Sequence, residues 1–159
     1  MRLHVPIKLR WSDLDAYGHV NNAAMLTLLE ESRISVFWNG GALGVEGLAD
    51  AAEPFEDGAA GQTLTLIARQ EVEYLAPIPY LREPLDVQLW IGRMGGASLD
   101  VCYEVCSPQG AEPFVLYARA ASAIVLVDSA TMRPRRMTDG ERAGWETYLD
   151  DPVVFAKRS

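Results

Sequence analysis

The sequence predicts an α+β fold, and three observations carry that reading. One long segment of helical period, Ala23 to Trp38, follows a single alternating strand. Four further runs show strand character, and short turns with glycine or proline separate two neighbouring pairs. No repeat or dividing linker interrupts the order, so residues 1–159 are expected to form one domain. One apolar-faced helix laid on an antiparallel sheet is a stable way to bury both patterns.

The elements follow in order. Leu3, Val5, Ile7, Leu9 and Trp11 alternate with His4, Pro6, Lys8 and Arg10, which is the pattern of a half-buried strand. Pro6 lacks an amide hydrogen and points to an edge strand or an irregular strand start. A polar turn, Ser12 to His19, leads to Asn21-Asn22 as the start of the helix. On that helix Asn22, Met25, Leu26, Leu29, Ser32, Arg33, Val36 and Phe37 are expected to share the buried face. Asn39-Gly40-Gly41 is expected to end it. Residues 40–63 read as a solvated acidic connection, or as a cover with a short helix near Val45 to Ala52.

Strands are then expected near Leu64–Tyr74, Leu85–Ile91, Leu99–Val105 and Phe114–Val127, the last apolar on both faces and so central. Gly95-Gly96 and Pro108-Gln109-Gly110 predict antiparallel hairpins. Thr138 followed by Glu141 predicts a capped C-terminal helix ending near Leu149.

A chain of this length buries about 69% of its extended surface, enough for a core without metal or disulfide staples. The composition is that of a globular protein, 49% hydrophobic and 23% charged. No apolar run approaches a membrane span, and the first residues lack a signal peptide's apolar stretch, so the cytoplasm is the expected compartment. The net charge of −8 argues against nucleic acid or an anionic membrane as partner. It leaves room for an anionic small molecule held by a few arginines. Cys102 and Cys106 are expected to be packing residues rather than a disulfide or redox pair.

The sequence contains no G-x-S-x-G, H-E-x-x-H, G-x-x-x-x-G-K-[ST] or G-x-G-x-x-G motif. Its dense chemistry lies in Trp11-Ser12-Asp13-Leu14-Asp15-Ala16-Tyr17-Gly18-His19-Val20-Asn21-Asn22. Two carboxylates, an imidazole and two amides there run into a helix start. Helix starts carry unpaired amides and partial positive charge. Such amides can hold the charge that develops on a carbonyl oxygen, while a carboxylate attacks or activates water. On local physics alone, Asp13 and Asp15 also suit turn amides, and Asn21 or Asn22 an N-cap. Asp13, Asp15 and His19 as metal ligands lack residues to complete the shell, so no metal is expected.

This segment, continuing into A-A-M-L-T-L-L-E-E-S-R, resembles the D-x-D-x-x-G-H-V-N-N…E-x-x-R signature of hotdog-fold acyl-CoA thioesterases. The likeness is to the 4-hydroxybenzoyl-CoA thioesterase-like group, near its long-chain acyl-CoA branch. It covers Arg10 to Arg33 closely and the strand order to about Val127. The resemblance implies a central helix wrapped by an antiparallel sheet of about five strands, with a short C-terminal helix. It implies hydrolysis of an acyl-CoA, with CoA only as part of substrate and product and no other cofactor. It also implies a homodimer, or a dimer of dimers, with sites between protomers.

Position by position, the resemblance makes Asp15 the catalytic carboxylate, His19 its assistant, and the amide near Asn22 the polarising donor. Trp11 stands where some members have Tyr, and Asn22 where some have His. Lining the acyl or pantetheine channel and orienting water are the roles left to them. Tyr17, Gly18 and Asn21 complete the expected substrate surface, with Arg82 and Arg93 as phosphate contacts by residue type. Asp13 reads as a turn residue, and Glu30 with Arg33 as an i,i+3 ion pair. Two rival readings are a hotdog enoyl-CoA hydratase or dehydratase and a non-catalytic acyl-thioester-binding protein.

Overall fold

The computed structural model describes residues 1–37 and 63–157. The helix end at Asn39-Gly40-Gly41 and the 40–63 connection, all but Thr63, lie outside them. The strands are β1 (Leu3–Ile7), β2 (Thr63–Tyr74), β3 (Leu85–Met94), β4 (Ser98–Cys106), β5 (Leu116–Asp128) and a two-residue β6 (Arg133–Pro134). The α-helices are α1 (Asn22–Phe37) and α2 (Asp139–Glu146). All strand pairings are antiparallel, in the order β1-β3-β4-β5-β2, with β6 beside β5. This is a hotdog fold: α1 lies along one face of the sheet, and α2 sits at the margin.

Alternation decides which side chains meet α1. Leu3, Val5 and Ile7 face the helix and pair with Leu89, Val87 and Leu85, and all six are buried. The same face continues through Leu99, Val101, Tyr103 and Val105 to Ala118, Ala120 and Ile124. Pro6 stands on an edge strand, as its missing amide hydrogen requires. The β5 strand is central, between β4 and β2. Thr138 caps α2 by accepting from the Glu141 amide, while the Glu141 carboxylate accepts from the Thr138 amide.

Four expectations are corrected. β1 stops at Ile7, and a 3₁₀ turn at Trp11–Asp13 throws Trp11 out to 75% exposure instead of onto the core face. On α1, Leu28 and Ser35 are buried and Leu26 is 40% exposed, because the helix is rotated about its axis from the expected face. Arg33 does not pair with Glu30; it reaches into the sheet and donates to the buried Tyr103 hydroxyl at 3.1 Å. β5 begins at Leu116, leaving Phe114 exposed, and β6 has no counterpart in the sequence pattern.

The other face of the sheet carries a strap. Residues 150–157 cross it, tied by Trp90 Nε1 to the Asp151 carbonyl (2.8 Å) and by Arg119 to the Val154 carbonyl (2.9 Å). The Ala156 amide donates to Glu73 at 2.8 Å. Cys102 and Cys106 are buried free thiols, and Cys102 lies beneath the strap against Pro152. Among the described residues no helix is long and apolar enough to cross a membrane.

Candidate active site

The segment rich in carboxylate and amide groups is a loop closed on itself before it enters α1. Asp13 is its buried anchor. The Asp13 carboxylate accepts from the Arg10 amide (2.7 Å) and the Arg10 guanidinium (2.9 Å), and its carbonyl accepts the Asn21 amide (2.8 Å). Thus Asp13 serves the turn. Leu14 and Val20 form an isolated bridge, and Gly18 takes φ +77°, a conformation that disfavours a side chain.

Asp15 sits at the centre of this closed loop, partly buried. Its Oδ1 accepts the Tyr17 amide at 2.8 Å and the His19 amide at 3.2 Å, while its own amide donates to the His19 carbonyl at 2.7 Å. These bonds fix the carboxylate's direction without saturating it: Oδ2 has no hydrogen-bond partner among the described residues. The His19 imidazole makes no hydrogen bond among them either, while the His19 backbone bridges Pro79.

The helix start supplies the donors. Asn21 is the N-cap: its Oδ1 accepts the Ala23 amide at 2.8 Å, and its carbonyl accepts the Met25 amide at 3.1 Å. The Asn22 and Ala24 amides have no acceptor among the described residues. Unpaired amides of this kind, at the positive end of a four-turn helix, are suited to a carbonyl oxygen gaining charge.

Aromatic side chains border this ground. Trp11 meets Tyr80 edge-on with ring centroids 5.3 Å apart, and Tyr17 is 86% exposed. Arg82 is exposed on the loop leading from Tyr80 into β3. Arg93 is placed apart from these residues: it lies on the sheet face turned away from α1, paired with Asp100 at 3.4 Å. There it lines a 310 Å³ cleft with Arg69, Glu71 and the strap. The bulge between Ile91 and Arg93 and the strand alternation that follows put it there.

Three contributors escaped the sequence reading. The Ile78 carbonyl accepts the Val20 amide at 2.9 Å, Pro79 bridges His19, and the Tyr74 hydroxyl donates to the Asn22 carbonyl at 2.8 Å. The run Tyr74-Leu75-Ala76-Pro77-Ile78-Pro79-Tyr80 did carry a signal, since two prolines hold backbone extended and ready to pair. Its partner lies more than fifty residues away, which no local pattern shows.

Comparison with known proteins identifies the family. A model of the thioesterase-like superfamily matches residues 9–144. A Pseudomonas aeruginosa structure with an inferred thioesterase assignment is 30% identical, over 89% of this chain and 95% of that one, at a TM-score of 0.61. A Xanthomonas campestris structure, with an inferred acyl-CoA thioesterase assignment, is 31% identical over 81% and 93%, at 0.58. A Thermus thermophilus thioesterase solved with coenzyme A and zinc shares the fold at 24% identity over 92% and 93%, at 0.66. A search of curated proteins returns no match. With most of its length matched by the family model, the chain belongs to the thioesterase-like superfamily.

Proposed function

We propose that this chain hydrolyses acyl-CoA thioesters, with Asp15 as the catalytic carboxylate and the Asn22 amide as the donor to the thioester carbonyl. One observation carries the reading: a carboxylate oriented through one oxygen, with the other unengaged, lies in the loop that runs straight into an unpaired helix-start amide. Family membership and the inferred acyl-CoA assignment of the Xanthomonas relative support the same chemistry.

As water adds to the thioester carbonyl, charge builds on the oxygen. A helix-start amide aimed there lowers the barrier because it is already in place and needs no reorganisation. Asp15 takes the proton from water, or attacks first to give a mixed anhydride that water then opens. Both routes release the free acid and CoA thiol. His19, with an unengaged ring, is the group to relay a proton. Trp11, Tyr17, Gly18 and Asn21 offer the substrate surface, and Arg82 a charge for a phosphate. Arg93 would serve only through another copy of the chain.

The working unit in this reading is a homodimer, alone or paired again. Among the described residues β1 and β2 are the outermost strands of the sheet, and Leu66 and Ile67 of β2 are exposed. Open edges of this kind favour pairing.

The test is free-thiol release across a panel of acyl-CoAs, with enoyl absorbance followed in parallel. Thiol release supports the proposal. Loss of enoyl absorbance without thiol would replace it with hydration, and saturable binding with neither would replace it with a carrier.

A further inference from the structure

We propose that Tyr74 is a positioning residue that, together with Asn21, clamps the first peptide unit of α1 and so sets the aim of the Asn22 amide. This rests on the hydrolase reading above and deepens it.

The peptide linking Asn22 to Ala23 is held at both ends. Its N–H donates to Asn21 Oδ1 at 2.8 Å, and its carbonyl accepts the Tyr74 hydroxyl at 2.8 Å. A peptide unit is planar, so two bonds on opposite sides fix its orientation. That removes the Ala23 amide from any contact with substrate and leaves the flanking Asn22 and Ala24 amides, of which Asn22, one peptide earlier, adjoins the loop that carries Asp15. The two clamps come from different places. Asn21 is local to the helix start, whereas Tyr74 closes β2 and brings the sheet to the helix across more than fifty residues.

Helix ends fray, and a frayed first turn would scatter the direction of its free amides. A catalytic amide contributes only when held close to its productive direction, and small misplacements cost heavily. A local cap holds the turn to the helix but not to the sheet that carries the rest of the site. Tyr74 supplies that second reference. It stands on the helix-facing side of β2, opposite Ala118, yet the residue is 51% exposed, so it contributes little to the core. Partial burial pushes its phenol up, which keeps it a proton donor in the neutral range.

The test compares wild type with Tyr74→Phe and Asn21→Ala. Tyr74→Phe should lower kcat by about tenfold, with KM changed less than about twofold and the pH profile unshifted. The double variant should lose less than the product of the single losses, because both act on one peptide. Amide hydrogen exchange supplies a readout free of turnover. Tyr74→Phe should speed exchange at Ala23 and Met25 while the second half of α1 stays protected. Unchanged kcat together with unchanged exchange overturns the proposal. A lost alkaline limb in the pH profile also overturns it, since Tyr74 would then exchange protons with substrate itself. If the wild-type chain releases no thiol from any acyl-CoA, the hydrolase reading fails alone, and the exchange rates still decide whether Tyr74 holds the turn.

Discussion

Two places in this molecule combine a histidine with an aspartate, and they differ in how much hydrogen-bonding capacity the carboxylate has left. On the sheet face away from α1, Asp86 is 6% exposed and bonds His4 Nδ1 at 3.0 Å through one carboxylate oxygen and 3.1 Å through the other. Gln88 and Gln109 each add a longer contact at 3.4 Å. Cys106 lies beside it, and burial with the nearby Asp86 and Glu104 charges pushes that thiol up to about 12. The residue types suit catalysis, but both oxygens of the Asp86 carboxylate are already engaged by His4 and the two glutamines. In the loop before α1, Asp15 engages one oxygen and the His19 ring engages nothing among the described residues. Buried polar groups normally find partners. Capacity left over beside an open surface is therefore the more informative sign.

The largest expected effect separates the two places directly. Asp15→Asn should cut kcat by about 10²-fold or more, with a melting temperature within a degree or two of wild type, since shape is kept and the base or nucleophile is lost. Near-normal turnover in that variant would erase the distinction drawn above. Asp86→Ala should do the reverse: about 1 kcal/mol less stable in denaturant titration, from the lost hydrogen bonds to His4, Gln88 and Gln109, with activity within about twofold.

A smaller effect is expected at Arg33. Arg33→Ala deprives the buried Tyr103 hydroxyl of a donor in a chain that runs on to Ser122 and Gln70. A loss of about 1 kcal/mol with kcat nearly unchanged would mark it as a structural tie, and a large kcat loss at constant melting temperature would move it into the site.

The mildest prediction concerns the thiols. Burial raises both Cys102 and Cys106, so neither should react with a thiol reagent at pH 8 until the chain unfolds. Because the folded Cys106 keeps its proton to about 12 against 9.0 when free, stability should fall as pH rises between those values. In that range the unfolded thiol ionises and the folded one does not, so the folded state binds more protons. Melting curves collected above pH 9 would check the sign.

Much of the fold was legible because its signals are local. Period-two alternation marked β1 through β5, the Thr138–Glu141 pair marked the start of α2, and Pro6 marked an edge. The loop before α1 was legible as well, since carboxylates, glycine and paired asparagines within one short segment are a strong pattern. The failures concern direction. Trp11 continued the alternation on paper, but the 3₁₀ turn turned it outward. Arg93 was chosen by residue type alone, and the bulge after Ile91 sets it on the face away from the loop before α1. The helical wheel misjudged Leu26 and Leu28 because it cannot know how a helix rolls onto a sheet.

The sequence by itself determined where the five main strands and both helices lie, to within a few residues at their ends, and which short segment gathers carboxylate, imidazole and amide groups ahead of α1. Each depends on neighbours within a few residues, where stereochemistry and side-chain period dominate. The tertiary structure alone decided which carboxylate is saturated, which amide stays unpaired, and that Tyr74 meets the start of α1. Those depend on which distant groups share space once the sheet forms, and valence satisfied across fifty or eighty residues leaves no trace in a local pattern.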